Sequence, residues 1–453
     1  MQRQAILERP AKLEALLSSG YMAWIRAIVS VLGARVMASA CAFVGNVLVA
    51  RHLEPWDYGR FYLLFAVMSI VAGLTGPAID TSLIRFASQR ISPGRDDSGP
   101  YFKGVLYFKM LILAFTMITS VLVAKPMIVL LFPGSLGRNL PYYAIVLAFS
   151  GGAVVSMWGF AQSYFVAHQK FTHYAGYEFC SSILRLGLSM ILISFDVREV
   201  LAYVGVYVGA PLVMALMSWS QLPRSVFTAP VNASVGWELW AFAKWALIAT
   251  VFTTISQRLD LLLLNFDIYG ISREAIGIYS AGVSFVLAGE LVLLTFYNVL
   301  LPKASQLKSA AELRYFISKF RIPSLVFCLG LTVLIPLSER LCFLLFGEEY
   351  FGTHVYFNIL LTGVIVTLAC APSITALYAL GHTGTVAIFE GLRLVLTLIA
   401  GVLVVADYGE WGMAWVTALV RGGTSVAAYL YAHQVVRRMS IREAAERAQP
   451  DFF

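Results

Sequence analysis

Apolar runs of about 20 residues follow one another through almost the whole chain, each long enough to cross a hydrocarbon core of roughly 30 Å as an α-helix. In lipid a backbone must satisfy its own N–H and C=O groups, so such runs fold as helices or as a closed barrel. A barrel would show alternating segments of about ten residues, and that alternation is absent. The expectation is an all-α polytopic membrane protein. Composition agrees: 59% of the 453 residues are hydrophobic and 13% are charged, against roughly 25% charged in an ordinary soluble domain.

Turn signals between the runs divide them into about twelve helices, near residues 27–50, 59–79, 104–124, 142–167, 174–195, 200–220, 237–266, 276–301, 317–337, 353–380, 385–406 and 411–433. The chain then reads as a leader (1–26), a six-helix lobe (27–220), a cytoplasmic linker QLPRSVFTAPVNASVG (221–236), a second six-helix lobe (237–433) and a polar tail (434–453). Leu7, Leu13, Leu16 and Leu17 give the leader one apolar face, as in a helix lying along a membrane surface. It lacks the short apolar core and cleavage site of a secretory signal.

In a soluble protein the net charge of +8 would point to nucleic acid. Here the bases cluster on one set of loops and tails, for example Arg90, Arg95, Lys303, Lys308, Arg314, Arg437 and Arg438. The opposite loops are acidic: Glu54 and Asp57, Asp196 and Glu199, Glu348 and Glu349, Asp407 and Glu410. An excess of Lys and Arg on the cytoplasmic side puts both termini inside, and no nucleic-acid partner is expected. The five cysteines are scattered singly, without the spacing of a metal site or a disulfide framework.

The halves repeat. PWDYGRFYLL (55–64) is echoed by REAIGIYSAG (273–282), VLLFPG (129–134) by FLLFG (343–347), and FVAHQKF (165–171) by YALGHTG (378–384). The echoes keep a nearly constant offset of roughly 214 residues, as an internal duplication requires. Six is an even number, so both copies enter the membrane from the same side and form a parallel repeat.

A charge near the bilayer centre costs about 2.5 to 3.5 kcal/mol, so intramembrane charges face a cavity or a partner. The candidates are Arg35, Arg85, Arg185, Arg258, Asp260, Glu290, Glu390, Arg393 and Arg421. Arg35, Arg85, Arg185, Arg258 and Arg393 are read as a substrate-binding set, because a guanidinium makes bidentate hydrogen bonds to phosphate. Asp260 and Glu290 are read as ion-coupling carboxylates for a proton or sodium.

Each has a plainer alternative. Arg35 could snorkel to head groups, and Arg85 could lie on an interfacial helix against anionic lipid. Glu390 and Arg393, three apart on one helical face, could neutralise each other. Glu178 and Arg185, seven apart, serve different partners, and Glu290 lies too deep relative to Arg258 for a direct pair. His168 and His382, at matching places in the repeat, read as interfacial caps, since no nucleophile or acid accompanies them. No catalytic residues, metal ligands or cofactors are expected.

The stretch GARVMASACAFVGNVLVARHLEPWDYGRFYLLFAVMSIVAGLTGPAIDTSLIRFASQR (33–90) resembles the opening hairpin of the polysaccharide transport or oligosaccharide flippase family, within the MATE-like MOP superfamily. QRLDLLLLNFDIYGISREAIGIYSAG (257–282) resembles the start of that family's second half. The resemblance implies a transporter of lipid-linked oligosaccharide in the bacterial cytoplasmic membrane, working by alternating access through a basic central cavity. It also implies undecaprenyl pyrophosphate as carrier, membrane lipids around the protein, and polysaccharide assembly proteins as partners. Two alternatives stand beside it. A cation-coupled drug or small-molecule antiporter shares the fold, and would favour an acidic pocket. A membrane glycan polymerase or acyltransferase would want a long outer loop or an intramembrane His and acid cluster, and the predicted outer loops are short.

Overall fold

The computed structural model describes residues 2–92, 95–131, 140–230, 233–266, 269–304, 309–380 and 382–448. Lys308, part of the VLLFPG echo (132–134) and the side chains of the leader, Arg35, Arg95 and Lys303 lie outside the described residues. The helices run Gln2–Thr75, Pro77–Ser88, Gly99–Leu131, Tyr143–Ala167, Phe171–Ser194, Val200–Ser220, Ala233–Ser256, Leu259–Leu264, Arg273–Ala304, Ala310–Phe346, Thr353–Ala379 and Thr383–Ala448, with a short turn of helix at Ser225–Thr228. Strands of two residues, Ile91–Ser92 and Arg95–Asp96, pair antiparallel.

Two of these helices are double spans. Gln2–Thr75 breaks at Glu54 (φ 61°) and Thr383–Ala448 at Gly409 (φ 57°). The apolar stretches that hold these breaks are Val36–Ser88, which runs on into the next helix, and Gly384–Ile441, 53 and 58 residues long, more than twice the roughly 20 needed for one crossing. Counted as pairs, and with Ala233–Ser256 and Arg273–Ala304 included, the helices cross about twelve times. The second span ends at Gly76, where Pro77 opens a shorter helix that buries Ala78, Ile79, Ser82, Leu83 and Ala87 and exposes Arg85.

The backbone carries the repeat as well. Asp196 (φ 50°) turns the chain between the fifth and sixth spans, and Gly409 turns it between the eleventh and twelfth, again at the offset of roughly 214 residues. Only glycine adopts such angles without strain. In the first lobe the ion pairs of Arg198 with Asp196 (3.2 Å) and with Glu54 (3.1 Å) tie the two strained turns together.

The lobes meet where the echoed turns face each other. A Cβ built on Gly59 would lie 3.2 Å from the Gly277 nitrogen, and one built on Gly277 would overlap the Pro55 carbonyl. Two pseudo-equivalent glycines therefore let backbone touch backbone. Around them the Tyr58 and Ser284 hydroxyls lie 2.8 Å apart, the Tyr350 hydroxyl donates to the Ala50 carbonyl at 2.6 Å, and Phe43 stacks on Phe285. This end, the acidic side of the sequence, is sealed by direct contact between the halves.

Candidate functional site

Beyond the seal the lobes part around a cavity of about 700 Å³. The first lobe contributes Asn46, Phe65, Arg185 and Tyr207 to its wall, and the second Gln257, Glu290, Glu390, Arg393 and Arg421. Arg258 and Asp260 line a smaller adjoining space of about 50 Å³, together with Glu290, Arg393 and Arg421. Seven of the nine sequence candidates thus converge. Arg85 is exposed on its surface helix and is not among the lining residues; the side chain of Arg35 lies outside the described residues.

Local structure explains the positions of Arg258 and Asp260. The seventh span stops at Ser256, Arg258 occupies the position before a new helix (φ −125°), and Asp260 stands in the first turn of Leu259–Leu264. The Tyr279 hydroxyl donates to Asp260 at 2.7 Å, and the Leu261 amide at 2.8 Å. At 4% exposure those hydrogen bonds are what a carboxylate taken out of water requires.

The charges of the cavity are largely matched. Arg421 forms a short ion pair with Glu290, which is why Glu290 needs no contact with Arg258. Arg393 stands 3.8 Å from Glu390, three residues away on its own helix. Arg185 and Arg258 are held differently. No carboxylate lies within 4.0 Å of either among the described residues. Arg185 lies over the Tyr207 ring at 5.0 Å, while the Tyr207 hydroxyl bonds to Asn46. Arg258 lies over Phe65 at 5.5 Å and Tyr62 at 5.7 Å, with Nη1 donating to the Tyr62 hydroxyl at 3.3 Å. Phe65 packs edge-on against Tyr207 at 5.5 Å. One aromatic cluster of the first lobe therefore carries two guanidinium groups, one from each lobe. The rings orient them by cation–π attraction without cancelling their charge.

His168 sits outside the spans. Its ring nitrogens are each 2.9 Å from an acceptor, the Tyr164 carbonyl and the Asp96 carboxylate of the β-hairpin. Partial burial alone would raise the Asp96 carboxyl, but the contacts from His168 and Ser98 hold it below the ordinary carboxylate range. Sequence reasoning passed over a different pair. Lys109 and Asp80 meet inside the first lobe at 2.6 Å, and Lys109 satisfied the criterion of a charge within an apolar span that singled out the others.

Two repeated six-helix lobes closed at one end over a polar cavity form a fold that solved transporter structures share. A structure titled lipid II flippase MurJ, inward closed conformation, superposes with a TM-score of 0.71 at 14% identity, over 90% of this chain and 87% of that one. An inward-facing multidrug resistance MATE family transporter also gives 0.71, at 11% identity over 91% and 99% of the two chains. An outward-facing conformation of a multidrug resistance MATE family transporter gives 0.61, at 11% identity over 91% and 96%. No curated protein sequence matches. The family model for polysaccharide biosynthesis proteins matches residues 25–308, more than half of the chain. The chain belongs to that family, and it is a multi-pass membrane protein.

Proposed function

We propose that the protein moves a lipid-linked oligosaccharide across the bacterial cytoplasmic membrane by alternating access, the glycan and its phosphate crossing in the cavity while the lipid tail stays in the bilayer. What carries this reading is the pair Arg185 and Arg258. They are oriented by rings rather than neutralised by acids, they come from opposite lobes, and so they can close together on a phosphate-bearing cargo. The family supports a cargo belonging to polysaccharide synthesis, and undecaprenyl pyrophosphate is the carrier proposed here. With both termini in the cytoplasm, the sealed end faces outward and the cavity belongs to an inward-facing state; the closer superposition on inward than on outward conformations supports this.

Asp260 is the proposed coupling carboxylate, for a proton or sodium, since it has hydrogen-bond donors but, among the described residues, no basic group within ion-pair distance. Glu290 is committed to Arg421 and holds the wall. The test is glycan export in cells carrying normally expressed Arg185→Ala or Arg258→Ala protein: each lowers export at least tenfold. Full export by both would remove the phosphate site.

The cation-coupled antiporter of small molecules is the second reading. It is favoured by the three carboxylates, Asp260, Glu290 and Glu390, that offset four arginines around the cavity. Cation-driven efflux of organic cations in the absence of glycan carrier would select it.

A further inference from the structure

The helix Gly99–Leu131 turns most of its surface outward, with Tyr107 61% and Leu111 68% exposed. Lys109, between them, is 1% exposed. It lies ten residues into the helix, about 15 Å from its end, and points into the first lobe rather than toward water. The ammonium stands 2.6 Å from Asp80 Oδ1 and donates to the Ser156 carbonyl at 2.7 Å. Asp80 belongs to the first turn of Pro77–Ser88, and Ser156 to Tyr143–Ala167. Three residues on, a Cβ at Gly159 would lie 2.7 Å from Asp80 Oδ2. The carboxylate is therefore pressed against bare backbone, and three helices fix the geometry.

A carboxylate and a backbone carbonyl converging on one positive centre are the oxygen ligands that a hard metal cation takes from a protein. They also border a second cavity, of about 760 Å³, with Gln162, Ser163 and Glu178 on its wall. Glu178 accepts from Gln162 at 2.8 Å and has no basic group within ion-pair distance among the described residues. Arg185 of the main cavity is two turns along the same helix, about 10 Å away. The pair thus lies beside open space that small ions can enter. Packing alone does not call for the charges, because a buried ion pair costs more in desolvation than an apolar pair of the same volume.

We propose that this is a monovalent-cation site that the chain fills with its own lysine. The Lys109 ammonium occupies the position a sodium or lithium ion would take between Asp80 and Ser156, so that position draws no metal cation from solution. The proposal is independent of the cargo. Lys109→Met keeps the oxygens and empties the ammonium position. Thermal unfolding of the full-length variant in detergent, titrated with sodium or lithium chloride against choline chloride at equal ionic strength, is expected to show a saturable rise in midpoint larger than any in the wild type. Asp80→Asn combined with Lys109→Met is expected to fold in both salts and to lose the extra rise. Should Lys109→Met fail to survive purification in choline, its recovery in sodium gives the same reading. A Lys109→Met protein indifferent to both alkali cations, or one that fails in every salt while the double variant folds, overturns the proposal.

Discussion

Glu290 and Arg421 reach each other from helices 131 residues apart in sequence, and neither side chain is more than 25% exposed. Removing one partner leaves the other charge uncompensated in a partly dry wall. Glu290→Gln and Arg421→Gln should each cost on the order of 1–3 kcal/mol, below the value for a fully buried pair, and the double variant should recover part of the loss. Unfolding midpoints of the three proteins in detergent check this. The partner was invisible in the sequence because a depth along one helix says nothing about which helix lies beside it. Glu390 with Arg393 was legible, since three residues on one helix fix a neighbour. Arg258 with Asp260 was legible as a break in an apolar span, whereas nothing in the sequence marks Tyr62, Phe65 and Tyr207 as the rings beneath Arg185 and Arg258. Tyr207→Leu should therefore lower export several-fold with little loss of protein, because it releases Arg185 and removes the edge-on contact with Phe65. Export normalised to membrane-inserted protein is the measurement.

At the level of elements, the duplicated turns were readable as a pattern, and their meeting was not: symmetry relates the two copies but does not say that they touch. Gly277 has no room for a side chain against Pro55. Gly277→Ala should destabilise the sealed state by about 1–3 kcal/mol and reduce transport, since overpacking at a backbone contact has nowhere to relax. A lowered unfolding midpoint, with export reduced in parallel, is the expected result. The β-hairpin offers a pH-dependent counterpart. Asp96 has a lowered folded pKa, so its contacts with His168 and Ser98 contribute above the unfolded value of about 3.8 and are lost as pH falls through the folded value. Hydrogen-exchange protection of residues 91, 92 and 95–98, taken relative to the intrinsic exchange rate at each pH, should be high at neutral pH and fall below about pH 3.8. In Asp96→Asn the protection should be weaker at neutral pH and should not change through that range.

For the molecule as a whole, the number of spans, the two lobes and the parallel repeat followed from hydrophobic length and a recurring offset, because lipid leaves a backbone few choices. The cavity was implied by the family resemblance and not by that pattern. Its existence depends on the halves touching at one end and parting beyond it, which is a property of a conformation rather than of a pattern. On the proposed cycle, the contacts of Tyr58 with Ser284, Gly59 with Gly277 and Tyr350 with Ala50 are the ones that must break for the cavity to open outward. The most direct test is leaflet accessibility. A labelled lipid-linked oligosaccharide is placed in vesicles with and without the purified protein, and its exposure to a glycan-modifying reagent on one side is followed over time. The account predicts that the wild type makes the protected pool accessible, and that Arg258→Ala protein does so at least tenfold more slowly. Accessibility unchanged by the wild-type protein would contradict it.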